Sequence, residues 1–547
     1  MTTLILYNGP IYTLDPAVPV AQALAVRDGR VVALGTERQV QEMVATAGRT
    51  HELIDLAGRA VVPGLTDAHV HITWQGFTRR EANLAGVATL EMALEVVAQR
   101  DTQLPQGAWL RGGGWDHVLW GGRWPTREDL DRVCPHRPVI LLRKDCHSAW
   151  VNRRALELAG VGAATPDPAG GQIMRDRDGE PTGILVDTAM DLVRAVEPPP
   201  TEQDRLAALQ AAFDEALSYG ITSIHVPPGT DPADASTTLR DLQTMRQQGR
   251  LSVRCLAYMA QPDLDAAIAL GLRSGFGDAW LRLGGLKLFA DGSLGSQSAE
   301  MLRPYEGTSS TGLAMMPPEV LEATIRRANA HGISVAVHAI GDAANRKVLD
   351  AIERAIHDRQ AQPEAFPAMA LPNRIEHVQV LHPADIPRLG QLGIIASMQP
   401  IHCTSDITAA SRLWGEERCH SAYAWRSVQA GGATLAFGSD APVETMNPWL
   451  GIHAAVTRQR PDGTPADGWY AEQCLTVEEA LRAYCYGPAV ASAETALKGT
   501  LTPGKLADLV VLTGDPLQCR ADELGAITAA MTLVDGQVVF ERSSSGG

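Results

Sequence analysis

The sequence predicts an α/β protein: a (β/α)8 TIM-like barrel, a small β-sandwich-like domain formed by both chain ends, and a large insertion after the first barrel strand. Three observations predict it. An amphipathic helix, a glycine and a short β-branched run ending in a polar residue recur along the chain, and alternating helices and buried strands imply a parallel sheet. About eight such runs can be counted, the number that closes a barrel, near 66–71, 221–226, 252–259, 281–290, 333–339, 373–379, 394–400 and 433–440. The glycine-rich turn with which an open doubly wound sheet binds a nucleotide is not found.

Residues 1–62 hold short alternating runs broken by Asn8-Gly9, Asp28-Gly29 and Ala57-Gly58, the pattern of strands joined by tight turns. Residues 63–75 carry the first barrel strand. Residues 76–200, rich in Gly, Trp and Pro, form an insertion expected to cover the mouth of the barrel, because loops after barrel strands shape its pocket. Residues 201–499 supply the remaining strands. There Leu206, Leu209, Phe213 and Leu217 keep helical spacing up to Gly220, and Ile221-Thr-Ser-Ile-His-Val226 follows as a buried strand. Val320, Leu321, Ile325 and Ala328 repeat the unit before Gly332, and it returns at Gly393 and Gly432. In residues 500–547, Ala507-Asp-Leu-Val-Val-Leu512 and an Asp535-Gly536 turn resemble the N-terminal pattern, so both ends read as one β domain.

Composition narrows the function. Hydrophobic residues make up 45% and charged residues 20%, ordinary globular values that exclude wholesale disorder. A formal net charge of −16 lacks the basic footprint that nucleic-acid binding needs, so no nucleic-acid partner is expected. The cysteines, at 134, 146, 255, 403, 419, 474, 485 and 519, form no C-x-x-C pair and read as reduced thiols. The N-terminus lacks the basic and apolar regions of a signal peptide, and no stretch suits a bilayer; a cytoplasmic protein with no membrane partner is expected.

Pro63-Gly-Leu-Thr-Asp-Ala-His69-Val-His71 ends the first strand with two histidines two residues apart. Positions i and i+2 of a strand face one side, so both imidazoles can point at one metal ion; an exposed or packed pair is the alternative. His338 closes the fifth strand, His377 the sixth within Arg-Ile-Glu-His, and Asp440 the eighth within Phe-Gly-Ser-Asp. Taken singly, each could be a core histidine bonded to backbone or an aspartate capping a helix. Together they converge on one barrel face with donors that suit a metal.

These residues, with Lys287 in Gly-Leu-Lys-Leu-Phe-Ala-Asp-Gly, His338 in His-Ala-Ile-Gly-Asp and Asp440 in Gly-Ser-Asp-Ala-Pro-Val-Glu, resemble the amidohydrolase superfamily. The resemblance is to its YtcJ-like branch, which includes N-substituted formamide deformylase. It extends to Gly112-Gly-Gly-Trp115-Asp116, Gly292-Ser-Leu-Gly-Ser296 and Pro503-Gly-Lys-Leu-Ala-Asp508 and covers nearly the whole chain. In the second strand, Ser223-Ile-His225-Val226-Pro-Pro-Gly229 departs from relatives, which more often carry an aspartate and a small residue after the histidine.

The resemblance implies one or two divalent ions, usually zinc. His69 and His71 would hold the more buried ion with Asp440, and His338 and His377 the second. Lys287 matches the residue that many relatives carboxylate into a bridging carbamate. An ammonium with a pKa near ~10.4 has no lone pair at neutral pH, so only a neutral amine or a carbamate could ligate there. A lysine paired with Asp291 is the alternative.

The implied reaction is hydrolysis of a C–N bond in a small amide-like molecule such as an N-substituted formamide, by a metal-activated water. Asp440 would take the water's proton and give it to the departing nitrogen. Trp74, Trp115, Asp116, Trp120 and His147 in the insertion are candidates to line the substrate pocket, with a tryptophan satellite core as the alternative. His225, His402 and Glu444 join the substrate-side candidates, while Asp342 and Asp406 either orient ligands or cap helices. Hydrolysis of an ester, lactone or cyclic imide is the alternative chemistry. A non-catalytic scaffold or regulator is the alternative class, and it would be expected to have lost metal ligands. A homodimer is a family-based expectation.

Overall fold

The computed structural model describes residues 3–45, 51–144, 147–229 and 232–543. By internal contacts the chain divides into Met1–Ile72 with Phe213–Gly547, and Thr73–Ala212.

The first unit contains all eight predicted barrel strands, parallel and in chain order around the sheet. They are β1 (Leu65–Asp67), β2 (Ile221–Val226), β3 (Arg254–Met259), β4 (Leu281–Phe289), β5 (Val335–Ala339), β6 (Arg374–His377), β7 (Ile395–Met398) and β8 (Thr434–Phe437). Glycines in the left-handed region end the preceding helices, Gly220 with φ 84° and Gly332 with φ 74° among them.

Neighbours in register on parallel strands share a face, and the register fixes which residues enter the barrel. Lys287 lies beside Ala336, and Ala336 beside Arg374; one step on, His338 lies beside Glu376 and Glu376 beside Ser397. Arg374 hydrogen-bonds to His225 on β2 and Tyr258 on β3, so this face is the interior.

Between β8 and β1 the sheet is stitched just beyond the strands. Ala68 N–H donates to Phe437 O at 3.0 Å, Asp440 N–H to His69 O at 2.7 Å, and His71 N–H to Ala441 O at 2.9 Å. Gly438 permits the approach, because a Cβ there would stand 2.4 Å from His69 N. Asp67 ties the seam from below, accepting from the backbone N–H of His69 and of Ser439.

Both chain ends enter one further sheet of eight strands. Val61–Pro63 pairs with Leu509–Leu512 antiparallel, joining the two ends directly. Asp28-Gly29 and Asp535-Gly536 are two-residue hairpin turns with positive φ at both positions, the geometry that Asp-Gly favours. Asn8-Gly9 does not separate strands as its sequence suggests. It lies within Thr3–Tyr12, where the register shifts and Gly9 backs onto Arg59 O. A helix, Glu37–Ala45, also interrupts the expected run of strands.

The second unit carries a mixed sheet of six strands. Trp115 and Trp150 are fully buried in its core with Leu110, Leu130, Val139 and Leu141. Seven described cysteines are unpaired, as expected, and Cys146 lies outside the described residues. No described helix is long and apolar enough to cross a membrane.

Candidate metal centre

His69 and His71 are not strand residues as their spacing suggests, because β1 ends at Asp67. They stand in the seam, tied on one side by Val70 N–H to His225 O and on the other by the bonds to Asp440 and Ala441. Both still face Asp440: Oδ1 lies 3.0 Å from His71 Nε2 and 3.5 Å from His69 Nε2. On the far side of the carboxylate, Oδ2 lies 3.6 Å from His402 Nε2. Donor atoms of His69, His71 and Asp440, and of His377, His402 and Asp440, each lie within 4.8 Å of one another. The His377 ring centroid is 5.0 Å from that of His69 and 4.5 Å from that of His338.

Backbone strain helps to aim these groups. His377, Val378 and Asp440 have φ of 75°, 46° and 61°, a region that non-glycine residues enter at a cost and that concentrates at functional sites. In a regular strand His377 would alternate away from Glu376; the turn at the end of β6 swings it to the cluster instead.

Oxygen acceptors set the histidine tautomers. His69 Nδ1–H donates to Glu376 Oε2 at 2.6 Å, and His377 Nδ1–H to Gln399 Oε1 at 2.8 Å, which leaves each Nε2 with its lone pair. His338 Nε2–H donates to Gly292 O at 2.9 Å, leaving Nδ1 as its lone-pair atom. The buried atoms His69 Nε2 and His402 Nε2 have no hydrogen-bond partner among the described residues. Buried polar atoms are normally satisfied, and nitrogen and carboxylate donors brought together in this way fit a divalent ion such as zinc.

The electrostatics agree. Burial, then the neighbouring Lys287, lowers His69 to about 4, and the same causes lower His338 to about 3. Both rings are neutral at physiological pH, as ligands must be. Burial alone would raise Asp440, but the surrounding imidazoles of His69 and His71 outweigh it and hold the carboxyl well below its usual range. Burial pulls Lys287 down to about 8. The Lys287–Asp291 pair does not form: Asp291 accepts instead from the backbone N–H of Glu300, Ile340 and Gly341, and Lys287 Nζ lies 4.9 Å from the Phe289 ring centroid.

Among the substrate-side candidates, His402 joins the cluster. His225 is fully buried, and its Nδ1 accepts from Arg374 at 2.8 Å. Glu444 instead lines a cavity of about 220 Å³ with Thr404, His453 and Arg460. Asp342 accepts from Leu302 N–H at 2.8 Å and Asp406 from the Tyr423 hydroxyl at 2.5 Å, both local ties. The insertion residues belong to the second unit. Trp115 donates to Leu141 O at 2.8 Å and packs on Trp120, Trp124 and Trp150, which is the satellite-core alternative. Asp116 is paired with Lys144, His147 is exposed beside Asp187, and Trp74 is largely exposed.

Three residues at the site escape the sequence reading: Arg374, Glu376 and Gln399. The signal for the first two is present, since two charges two residues apart in a run that must be buried need an explanation.

The profile described as "Amidohydrolase family" matches residues 52–540. The chain is 35% identical over 545 residues to "Protein LONG AFTER FAR-RED 3" of Arabidopsis thaliana, covering 98% of this chain and 91% of that one. It is 29% identical over 564 residues to "N-substituted formamide deformylase" of Arthrobacter pascens, covering 100% and 99%. Among solved structures, an uncharacterized metal-dependent hydrolase from Pyrococcus furiosus superposes with a TM-score of 0.75 at 30% identity, covering 94% of this chain and 100% of that one.

Proposed function

Since this chain belongs to the amidohydrolase family, we propose that it hydrolyses a C–N bond in a small amide-like molecule, of the N-substituted formamide kind, with the aid of one or two divalent ions. The observation that carries the reading is the convergence of His69, His71 and Asp440 at the seam, with His377 and His402 against the same carboxylate. The similarity to N-substituted formamide deformylase supports the choice of bond.

His69, His71 and Asp440 would hold one ion, and His338 and His377 a second; Lys287 would bridge them as a carbamate. Zinc suits this nitrogen-rich set. A divalent ion supplies acidity to a bound water, lowering its pKa towards about 7, and polarises a carbonyl oxygen. The remaining work falls to side chains. With Oδ1 turned to His69 and His71, Asp440 has Oδ2 to take the water's proton and return it to the nitrogen, which then leaves as a neutral amine. His402, 3.6 Å from Oδ2, borders the path of that proton and is the substrate-side residue of the centre.

Replacing Asp440 by Asn removes the proton acceptor, and turnover is expected to fall by about 10²–10⁴-fold or more. Near-parental rates in purified, metal-loaded Asp440→Asn would remove Asp440 from this role. A panel of N-formyl amines, N-acyl amines and aryl esters tests the bond, and exclusive esterase activity would replace the amidase reading with its ester alternative.

A further inference from the structure

Arg374 and Glu376 have no place in the ligand set, yet both are buried inside the barrel, at 2% and 0% exposure. Arg374 Nε and Nη2 donate to Glu376 Oε1 and Oε2 at 2.5 and 3.0 Å. The rest of the guanidinium is fully engaged. Nη1 donates to His225 Nδ1 at 2.8 Å and to the Tyr258 hydroxyl at 3.2 Å, and Nη2 to Ala68 O and Ser397 Oγ, both at 2.6 Å. Arg374 is therefore bonded to β2, β3, β7 and the residue after β1 while standing on β6 itself. Glu376 Oε2 has one further contact, the 2.6 Å bond from His69 Nδ1.

A buried ion pair adds little stability over apolar side chains of the same size, so this one calls for another role. We propose that Glu376 and Arg374 are positioning residues for His69. Glu376 fixes the proton on Nδ1 and so turns the Nε2 lone pair toward Asp440, and Arg374 holds that carboxylate in place across the barrel. The inference rests on the metal-centre reading and adds to it: the affinity of the centre is set from within the barrel, by a carboxylate that never touches the ion. Partners of this kind orient ligating imidazoles and strengthen them as donors.

Glu376→Asp separates this role from simple filling of the interior. It retains the charge that Arg374 needs but withdraws the carboxylate from His69 by about one bond length, ~1.5 Å. The expected result is a zinc affinity about 10–100-fold weaker than that of the parent, with an altered visible spectrum on cobalt substitution, in a variant whose metal-free form still folds. Parental zinc affinity and an unchanged cobalt spectrum in Glu376→Asp would overturn the proposal. Should that variant not fold, the metal-free parent labelled with ¹⁵N-histidine gives the answer. It should show a slowly exchanging Nδ1–H that is lost in His69→Gln, and its absence from the parent overturns the proposal. A parent that takes up neither zinc nor cobalt overturns the metal-centre reading, and this inference with it.

Discussion

Four buried imidazoles sit in the barrel with their ordinary basicity suppressed, and this makes the metal-free protein acid-sensitive in a defined window. His69 is lowered to about 4 and His338 to about 3, mainly by burial, and His377 and His225 are lowered well below the ordinary value. In the unfolded chain these rings protonate near ~6.5. Between that pH and about 4 the unfolded state binds more protons than the folded state, so stability falls as pH falls, by up to about 1.4 kcal/mol per pH unit for each ring. Asp67 and Asp291, raised to about 7 by burial, act in the opposite direction over the same range, because there the folded chain holds the extra proton. Burial also raises Glu81 and lowers His453, so five lowered rings outnumber three raised carboxyls. The melting temperature of chelator-treated protein should therefore decline from pH 6.5 to 4, and a flat or rising profile would contradict this balance.

The element on which the site depends is the seam between β8 and β1, which positions His69, His71 and Asp440 by three backbone hydrogen bonds. A methyl group at Gly438 would collide with His69 N and Asp67 Oδ1, at 2.4 and 2.8 Å, and backbone cannot move aside cheaply. Gly438→Ala is expected to cost about 1–3 kcal/mol by overpacking. It should also weaken zinc binding, since the collision pushes His69 away from Asp440. Urea unfolding and zinc titration check the two effects, and a variant that loses stability but keeps parental affinity would mean that the seam does not set the ligand geometry. Much of this element was legible beforehand. Buried β-branched runs after a glycine locate β2, β5 and β7 to within two residues, because a helix cap and a strand start are local events. The reason both histidines face Asp440 was not legible. Spacing assigns His69 and His71 to a strand, whereas hydrogen bonds to Asp440 and Ala441, remote in the chain, hold them outside it. The turn that redirects His377 was equally hidden, since a positive φ at histidine leaves no mark in composition.

At the scale of the whole molecule, the fold brings together residues on or just beyond β1, β5, β6, β7 and β8, and a separate sheet takes in both chain ends. The Asp-Gly turns and the pairing of the two ends could be read from the chain, since each turn type has a residue preference. Asn8-Gly9 misled because the same dipeptide also serves a bulge, and only the close approach of Arg59 decides between the two. Trp115 and Trp120 could be read as pocket or core from their apolar character alone; the neighbouring Trp124 and Trp150 make them core. What unites these scales is the claim that distant side chains meet at the seam to hold a cation. Anomalous diffraction at the zinc edge, on crystals of protein purified without chelator and supplied with zinc, tests it directly. A peak about 2.0–2.2 Å from His69 Nε2, a His71 ring nitrogen and an Asp440 oxygen is the expected result. No peak at saturating zinc, or one bound away from these three residues, would contradict the account.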